Sequence, residues 1–187
     1  MYVHANVYKP AETKEILIVL SGRGKMKQVL DVNTGEVKAG TGESVLRSIA
    51  IGSCVIVAAY NFKRKIGAMA HVMLPGNAPK NSIDKTKYAA NAIEELINMI
   101  TPEDSKQYDI EACLVGAGNV LKKEDDTICN ANIQSTTQIL KEKHIPVRAS
   151  AIGGTKRKSI FMDIEDCCIS FTEGNGGKKV LWQASLN

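Results

Sequence analysis

The sequence predicts an α+β fold: a layered α/β sandwich of mixed and antiparallel sheets with two main helices. Two observations carry that reading. Strand-like runs lie next to each other as hairpins towards both ends of the chain, CVIVAAYN with IGAMAHVML and KSIFMDI with CISFT. Only two stretches have helical character, so helices and strands alternate only in part, unlike a doubly wound parallel sheet.

Taken in order, residues 1–25 form an arm with one strand-like run, ILIVL, bracketed by charge and by the breaker SGRG. That run suits an edge strand or a contact used in association. MKQVLDVNTGEVKAGTGES reads as short strands separated by turns at Asn33–Gly35 and Gly40–Gly42. SIAIG and CVIVAAYN read as a bent or continuous buried strand. The turn NFKRK leads into IGAMAHVML, which Pro75–Gly76 ends. A polar loop over 77–83 precedes DKTKYAANAIEELINMI, where Ala89, Ile93, Leu96, Ile97 and Ile100 line one helical face. Ser82 or Asp84 is placed to cap this helix and Thr101-Pro102 to stop it. YDIEACLVGAGNV is a strand running into a glycine turn. NANIQSTTQILKEKHI is the second helix, with Ile133, Thr136, Thr137 and Leu140 on its apolar side. PVRASAIGG is a further strand, and Glu165-Asp166 turns the closing hairpin. The glycine-rich tail, 173–187, reads as a second arm. The expectation is one domain over 1–187, with a core of about 32–172.

Composition narrows the function classes. The chain is 44% hydrophobic but only 5% aromatic, so its core must be aliphatic. A net charge of +4 is too weak to argue for nucleic acid as a partner; it fits an acidic protein partner or plain solubility equally well. The five cysteines are odd in number, show no C-x-x-C, and include the adjacent pair Cys167 and Cys168, a spacing that strains an ordinary disulfide. A reducing compartment is the natural reading. With no signal peptide and no run near the roughly 20 apolar residues that span a bilayer, the expectation is a cytoplasmic protein without membrane insertion.

Cofactor and metal motifs are missing. The Cys and His positions lack zinc-ligand spacing, and no metal is expected. GAGNV at 116–120 lacks the ending of a P-loop and the longer glycine pattern of a dinucleotide site, so it reads as a turn and no cofactor is expected. GGTKRK at 153–158 can bind phosphate but reads better as a solvated basic turn.

Two residues raise the question of chemistry. Cys54 lies in a buried, small-residue stretch where a free cysteine is ordinarily a small hydrophobe. Gly52 and Ser53 before it, however, leave room for a substrate and for free backbone N–H groups. His71 stands among Gly67, Ala68 and Ala70, so its imidazole is approachable. A histidine beside a thiol can hold it as thiolate. A strand histidine is also commonly structural, and both readings stay open on the residues alone. His4 and His144 have no visible partner.

GSCVIV, with the histidine of GAMAHVMLP 17 residues after the cysteine, resembles the chemoreceptor glutamine deamidase family, CheD. NTGEVKAG, DKTKYAANAIEELI, ACLVGAGNV and NIQSTTQILKEKHIPVRASAIGGTKRKSIFMDI resemble other parts of that family, over about residues 32–172. The resemblance implies a cysteine hydrolase acting on glutamine side chains of chemotaxis receptors, on a sandwich similar to deamidating toxins. It implies a catalytic set of Cys54, His71 and a hydroxyl residue. The last is usually threonine, six positions before the cysteine; here it is Ser48, which keeps the hydroxyl but lacks the methyl that restricts the rotamer. The cytoplasmic helices of the receptor would be the substrate, and a CheC-type phosphatase a partner. The alternative that the serine raises is a non-catalytic module that regulates such a phosphatase.

Overall fold

The computed structural model describes residues 17–20, 26–101 and 109–184. Its strands are β1 (Leu17–Leu20), β2 (Met26–Asp31), β3 (Val37–Thr41), β4 (Ser44–Ile51), β5 (Val55–Asn61), β6 (Ile66–Val72), β7 (Ile110–Gly116), β8 (Val147–Ile152), β9 (Lys158–Asp163), β10 (Cys168–Glu173) and β11 (Lys179–Gln183). The helices are α1 (Ala89–Ile100), preceded by a 3-10 turn at Lys85–Lys87, and α2 (Thr127–Glu142). One sheet runs β1-β2-β4-β9-β10-β11 and the other β3-β6-β5-β7-β8. Both are mixed: β2–β4 and β7–β8 are parallel, the other pairs antiparallel. The α+β sandwich expected from the sequence is therefore present.

The five-stranded sheet is the middle layer. Strand β5 is buried along its whole length, and its period of two divides the side chains between two cores. Val55, Val57 and Ala59 pack with α1 and α2, whereas Ile56, Ala58 and Tyr60 pack against the six-stranded sheet. Strand β6 divides likewise, with Ala68, Ala70 and Val72 towards the helices and Met69 between the sheets. Gly67 lets the sheets approach, because a Cβ there would lie 2.3 Å from Ile164 Cδ1.

Helix α1 buries Ala89, Ile93, Leu96, Ile97 and Ile100, as the periodicity requires, and Ala92 joins them. Neither Ser82 nor Asp84 caps it. The 3-10 turn intervenes, Tyr88 takes the cap position without a side-chain bond, and the Asp84 carboxylate accepts from Lys87 Nζ at 2.6 Å. At the other end Asn61 Nδ2 donates to the Ile100 carbonyl at 2.9 Å, satisfying a group of the last turn. Pro102 lies outside the described residues. Helix α2 begins at Thr127 and buries Cys129, Asn132, Thr136 and Leu140. Thr137 is exposed, because it falls off the stripe that those four positions define.

Both hairpins form, β5 with β6 and β9 with β10. SIAIG and CVIVAAYN are joined by a bend rather than continuous: β4 ends at Ile51 in one sheet, and β5 starts at Val55 in the other. The expected N-terminal edge strand is β1, paired with β2. The glycine-rich tail is not a free arm over its described part; β11 pairs antiparallel with β10 through a register shift at Ile169/Ser170. Lys27 on β2 is buried among carboxylates, with Nζ at 2.7 Å from Asp163, 3.0 Å from Asp166 and 3.1 Å from Glu165.

Candidate active site

Strand alternation decides where the two candidate residues point. Met69 faces the six-stranded sheet, so His71, two residues on, faces it too. Ile56 shares that face and pairs directly with His71. Cys54 packs at the margin of the same inter-sheet core, two residues before Ile56 and thus diagonal to His71. The two side chains leave one face of the sheet at one end of it.

Ser48 comes to His71 from the opposite sheet. Its Oγ lies 3.0 Å from His71 Nδ1. The same nitrogen is 3.3 Å from the Val32 carbonyl. A carbonyl can only accept, so Nδ1 carries the proton and Nε2 is left with its lone pair. Thr34 Oγ1 stands 3.5 Å from Nε2. The Asn33–Glu36 turn also holds the strand: His71 N–H donates to the Glu36 carbonyl, and Gly35 N–H to the His71 carbonyl.

Cys54 sits where the chain crosses between sheets, and each carbonyl of the crossing is held. Gly118 N–H donates to Gly52 O at 2.8 Å, Asn132 Nδ2 to Ser53 O at 3.1 Å, and Ala117 N–H to Cys54 O at 2.6 Å. GAGNV is thus a turn, as its sequence suggests, but one that braces Cys54. Gly116 has φ +125, and a Cβ on it would lie 2.3 Å from the Cys54 carbonyl oxygen. In a trans peptide the N–H points away from the C=O. The N–H groups of Ser53 and Cys54 therefore point away from the bonds that hold Gly52 O and Ser53 O, and they have no protein acceptor among the described residues.

Cys54, His71 and Thr34 line one cavity of about 460 Å³. Ile49, Leu121 and Ile128 line it as well, and all three are exposed, Ile49 at 58%. A bulge in β4 between Ser48 and Ile51, with Ala50 at φ 56, turns Ile49 outward. Lys123, Arg157, Asp125 and Asp126 complete the lining with charges of both signs. A second opening of about 370 Å³ is lined by Ser48, Val32 and His71, among others.

Burial pushes the Cys54 thiol above its ordinary range. Burial also lowers His71, against the opposing effects of the Val32 contact and the Glu36 charge. Both shifts favour a neutral thiol and a neutral imidazole at rest.

The remaining sequence candidates lie elsewhere. His144 is exposed beyond the end of α2, and His4 is outside the described residues. GGTKRK is only partly a solvated turn: Lys158 is buried, donates to the Gly153 carbonyl and pairs with Glu173 at 3.3 Å. Val32, Thr34 and Asn132 were missed by sequence reasoning. Thr34 sits in the turn signal NTG, and nothing in the local pattern marks the other two.

A family model described as CheD chemotactic sensory transduction matches residues 73–173. A probable chemoreceptor glutamine deamidase CheD of Chlorobium luteolum is 36% identical over 150 residues, which cover 80% of this chain and 75% of that protein. The chain belongs to the CheD family. The chemoreceptor glutamine deamidase CheD of Thermotoga maritima is 30% identical over 83% of this chain and 97% of its own length. That of Halalkalibacterium halodurans is 27% identical over 82% and 99%. The matched family segment opens just after His71 and takes in both helices. Among the described residues of this CheD chain, no helix is long and apolar enough to cross a membrane.

Proposed function

We propose that this chain hydrolyses glutamine side chains of chemoreceptors to glutamate, with Cys54 as nucleophile, His71 as base and acid, and Ser48 as the residue that orients the imidazole. The single observation behind this is the shared cavity: Cys54 and His71 line one space, while His71 Nδ1 is tied to Val32 and Ser48. Membership of CheD, whose named relatives are chemoreceptor glutamine deamidases, supplies the substrate class.

A carboxamide is a poor acyl donor, so the thiol must be activated. With both groups neutral at rest, His71 Nε2 takes the Cys54 proton as the sulfur attacks the carboxamide carbon. The carbonyl π bond breaks, and its electrons form the tetrahedral oxyanion. The Ser53 and Cys54 N–H groups, which lack a protein acceptor among the described residues, would donate to that oxygen, and losing one such donor typically costs about 3 kcal/mol of barrier. His71 then protonates the nitrogen, the C–N bond breaks, and ammonia leaves a thioester. Water, deprotonated by His71, attacks the thioester carbon. The C–S bond breaks, the thiol regains its proton, and glutamate remains.

The apolar rim of Ile49, Leu121 and Ile128 suits a helical substrate segment that carries its glutamine inward among apolar neighbours. A CheC-type phosphatase is proposed as a partner from the family resemblance alone, competing for that rim. The binding-module alternative drew on the serine at position 48 and on the N-terminal arm outside the family resemblance; the Ser48 hydroxyl at 3.0 Å from Nδ1 supports the catalytic reading over it.

The test is incubation with a cytoplasmic receptor fragment and mapping of Gln-to-Glu conversion by mass spectrometry. Wild type should convert specific glutamines and Cys54→Ala should convert none. Equal conversion by both would exclude Cys54 as nucleophile.

A further inference from the structure

The β5–β6 ladder closes at Val55↔Val72 and goes no further. Beyond that pair Cys54 turns towards β4, and Met73 leaves to bond the Lys87 carbonyl at 2.9 Å. The parting of the two strands leaves two carbonyls, Ser53 O and Met73 O, without ladder partners. Ser53 precedes Cys54, and Met73 follows His71 by two residues. A single side-chain amide bridges them: Asn132 Nδ2 donates one hydrogen to Ser53 O at 3.1 Å and the other to Met73 O at 3.0 Å.

Asn132 is fully buried on α2, at 0% exposure. Its Oδ1 has no hydrogen-bond partner, alone among buried side-chain oxygens and nitrogens of the described residues. A buried, unpaired acceptor is unfavourable and calls for a compensating role. The compensation lies in the nitrogen: a primary amide offers two N–H bonds from one atom, and leucine, serine and aspartate cannot. Asn132 does not line the cavity, so it acts only through the backbone it holds.

We infer that Asn132 is a positioning residue for the Cys54–His71 pair, clamping the parted ends of β5 and β6 at a fixed separation through the Ser53 and Met73 carbonyls. This deepens the deamidase reading and rests on it for kinetic consequence, but the clamp itself is testable without substrate. With the clamp gone, the strand ends separate further, water enters between sulfur and imidazole, and both groups return towards ordinary titration.

The experiment compares wild type, Asn132→Leu and Asn132→Ser with Thr136→Val, a buried control one turn further along α2 whose hydroxyl bonds only within the helix. His71 is followed by proton NMR titration, which three histidines make assignable, and Cys54 by alkylation rate against pH. In the Asn132 variants the His71 midpoint should rise towards the free-histidine value and the Cys54 midpoint should fall, with neither moving in Thr136→Val. Deamidation kcat should fall at least tenfold while KM stays within about threefold. Folded Asn132 variants with unmoved midpoints would overturn the inference, as would equal losses in a control of matched thermal stability. If no Asn132 variant folds, exchange of the Asn132 side-chain N–H₂ in wild type decides: protection like that of core amides supports the clamp, and exchange at surface rates overturns it. A wild type that converts no glutamine would instead overturn the deamidase reading, leaving the titrations to judge the clamp.

Discussion

Ser48 Oγ lies 3.0 Å from His71 Nδ1, and the two residues belong to different sheets. The contact proposed to orient the imidazole is therefore a tertiary one, made only when the sheets are packed. Ser48→Ala should leave the fold intact and lower kcat about tenfold, the equivalent of one hydrogen bond of about 1–1.5 kcal/mol. Ser48→Thr should match or exceed wild type. Steady-state deamidation kinetics distinguish these outcomes, and an unchanged rate in Ser48→Ala would remove Ser48 from the catalytic set.

Burial shifts both His71 and Cys54, and each shift predicts how stability follows pH. Burial lowers His71, so the unfolded chain takes up its proton first as pH falls below about 6.5, and stability is lost from there through the folded value. Burial raises Cys54, so the unfolded chain loses its proton first above about 8.5, and stability falls as pH rises past that point. Urea midpoints measured from pH 5 to 10 should show both flanks. His71→Ala should flatten the acid flank, and Cys54→Ala should lessen the alkaline one, which Cys113, Cys129 and Cys168, also raised by burial, share.

Gly116 has no room for a side chain beside the Cys54 carbonyl, and its backbone is left-handed. Gly116→Ala should destabilise the protein by about 2–4 kcal/mol and displace the nucleophile. Denaturant melts should show the loss, and deamidation at a temperature where the variant is folded should remain reduced. Full activity there would mean that the glycine serves only the turn.

Lys27 holds three carboxylates while itself buried. Hydrogen bonds to them raise its pKa overall, although burial opposes this. Lys27→Met should cost about 2–4 kcal/mol, because the acids keep their charge and lose their counterion. Activity per folded molecule should be unchanged, since this cluster is remote from the Cys54 cavity. A combined loss of rate and stability would couple the two regions.

Local pattern carried much of the fold. The apolar face of α1 from Ala89 to Ile100 and the two hairpins follow from period and turn chemistry, because each is a short-range property. What escaped was long-range. Nothing local tells that the run from Ser48 to Asn61 changes sheets at Gly52. Thr137 was misassigned because a threonine reads as tolerable on either face. Cys54, His71 and Ser48 were legible through motif resemblance; what packing adds is the cavity that Cys54 and His71 share and the Ser48 contact from the opposite sheet. Val32 contributes only a carbonyl and Asn132 only an amide to distant backbone, so side-chain identity along the chain could not flag either.

The crossing at Gly52–Cys54 has a consequence for how the protein can fail. A collapsed chain with native-like strands but loosened packing would keep every residue of the site and still lose rate, since slippage of one sheet over the other takes the Ser48 hydroxyl from the imidazole and pulls on the crossing that carries the sulfur. Hydrolysis should therefore fall before far-ultraviolet circular dichroism changes, so the enzyme would serve as the more sensitive gauge of its own loosening.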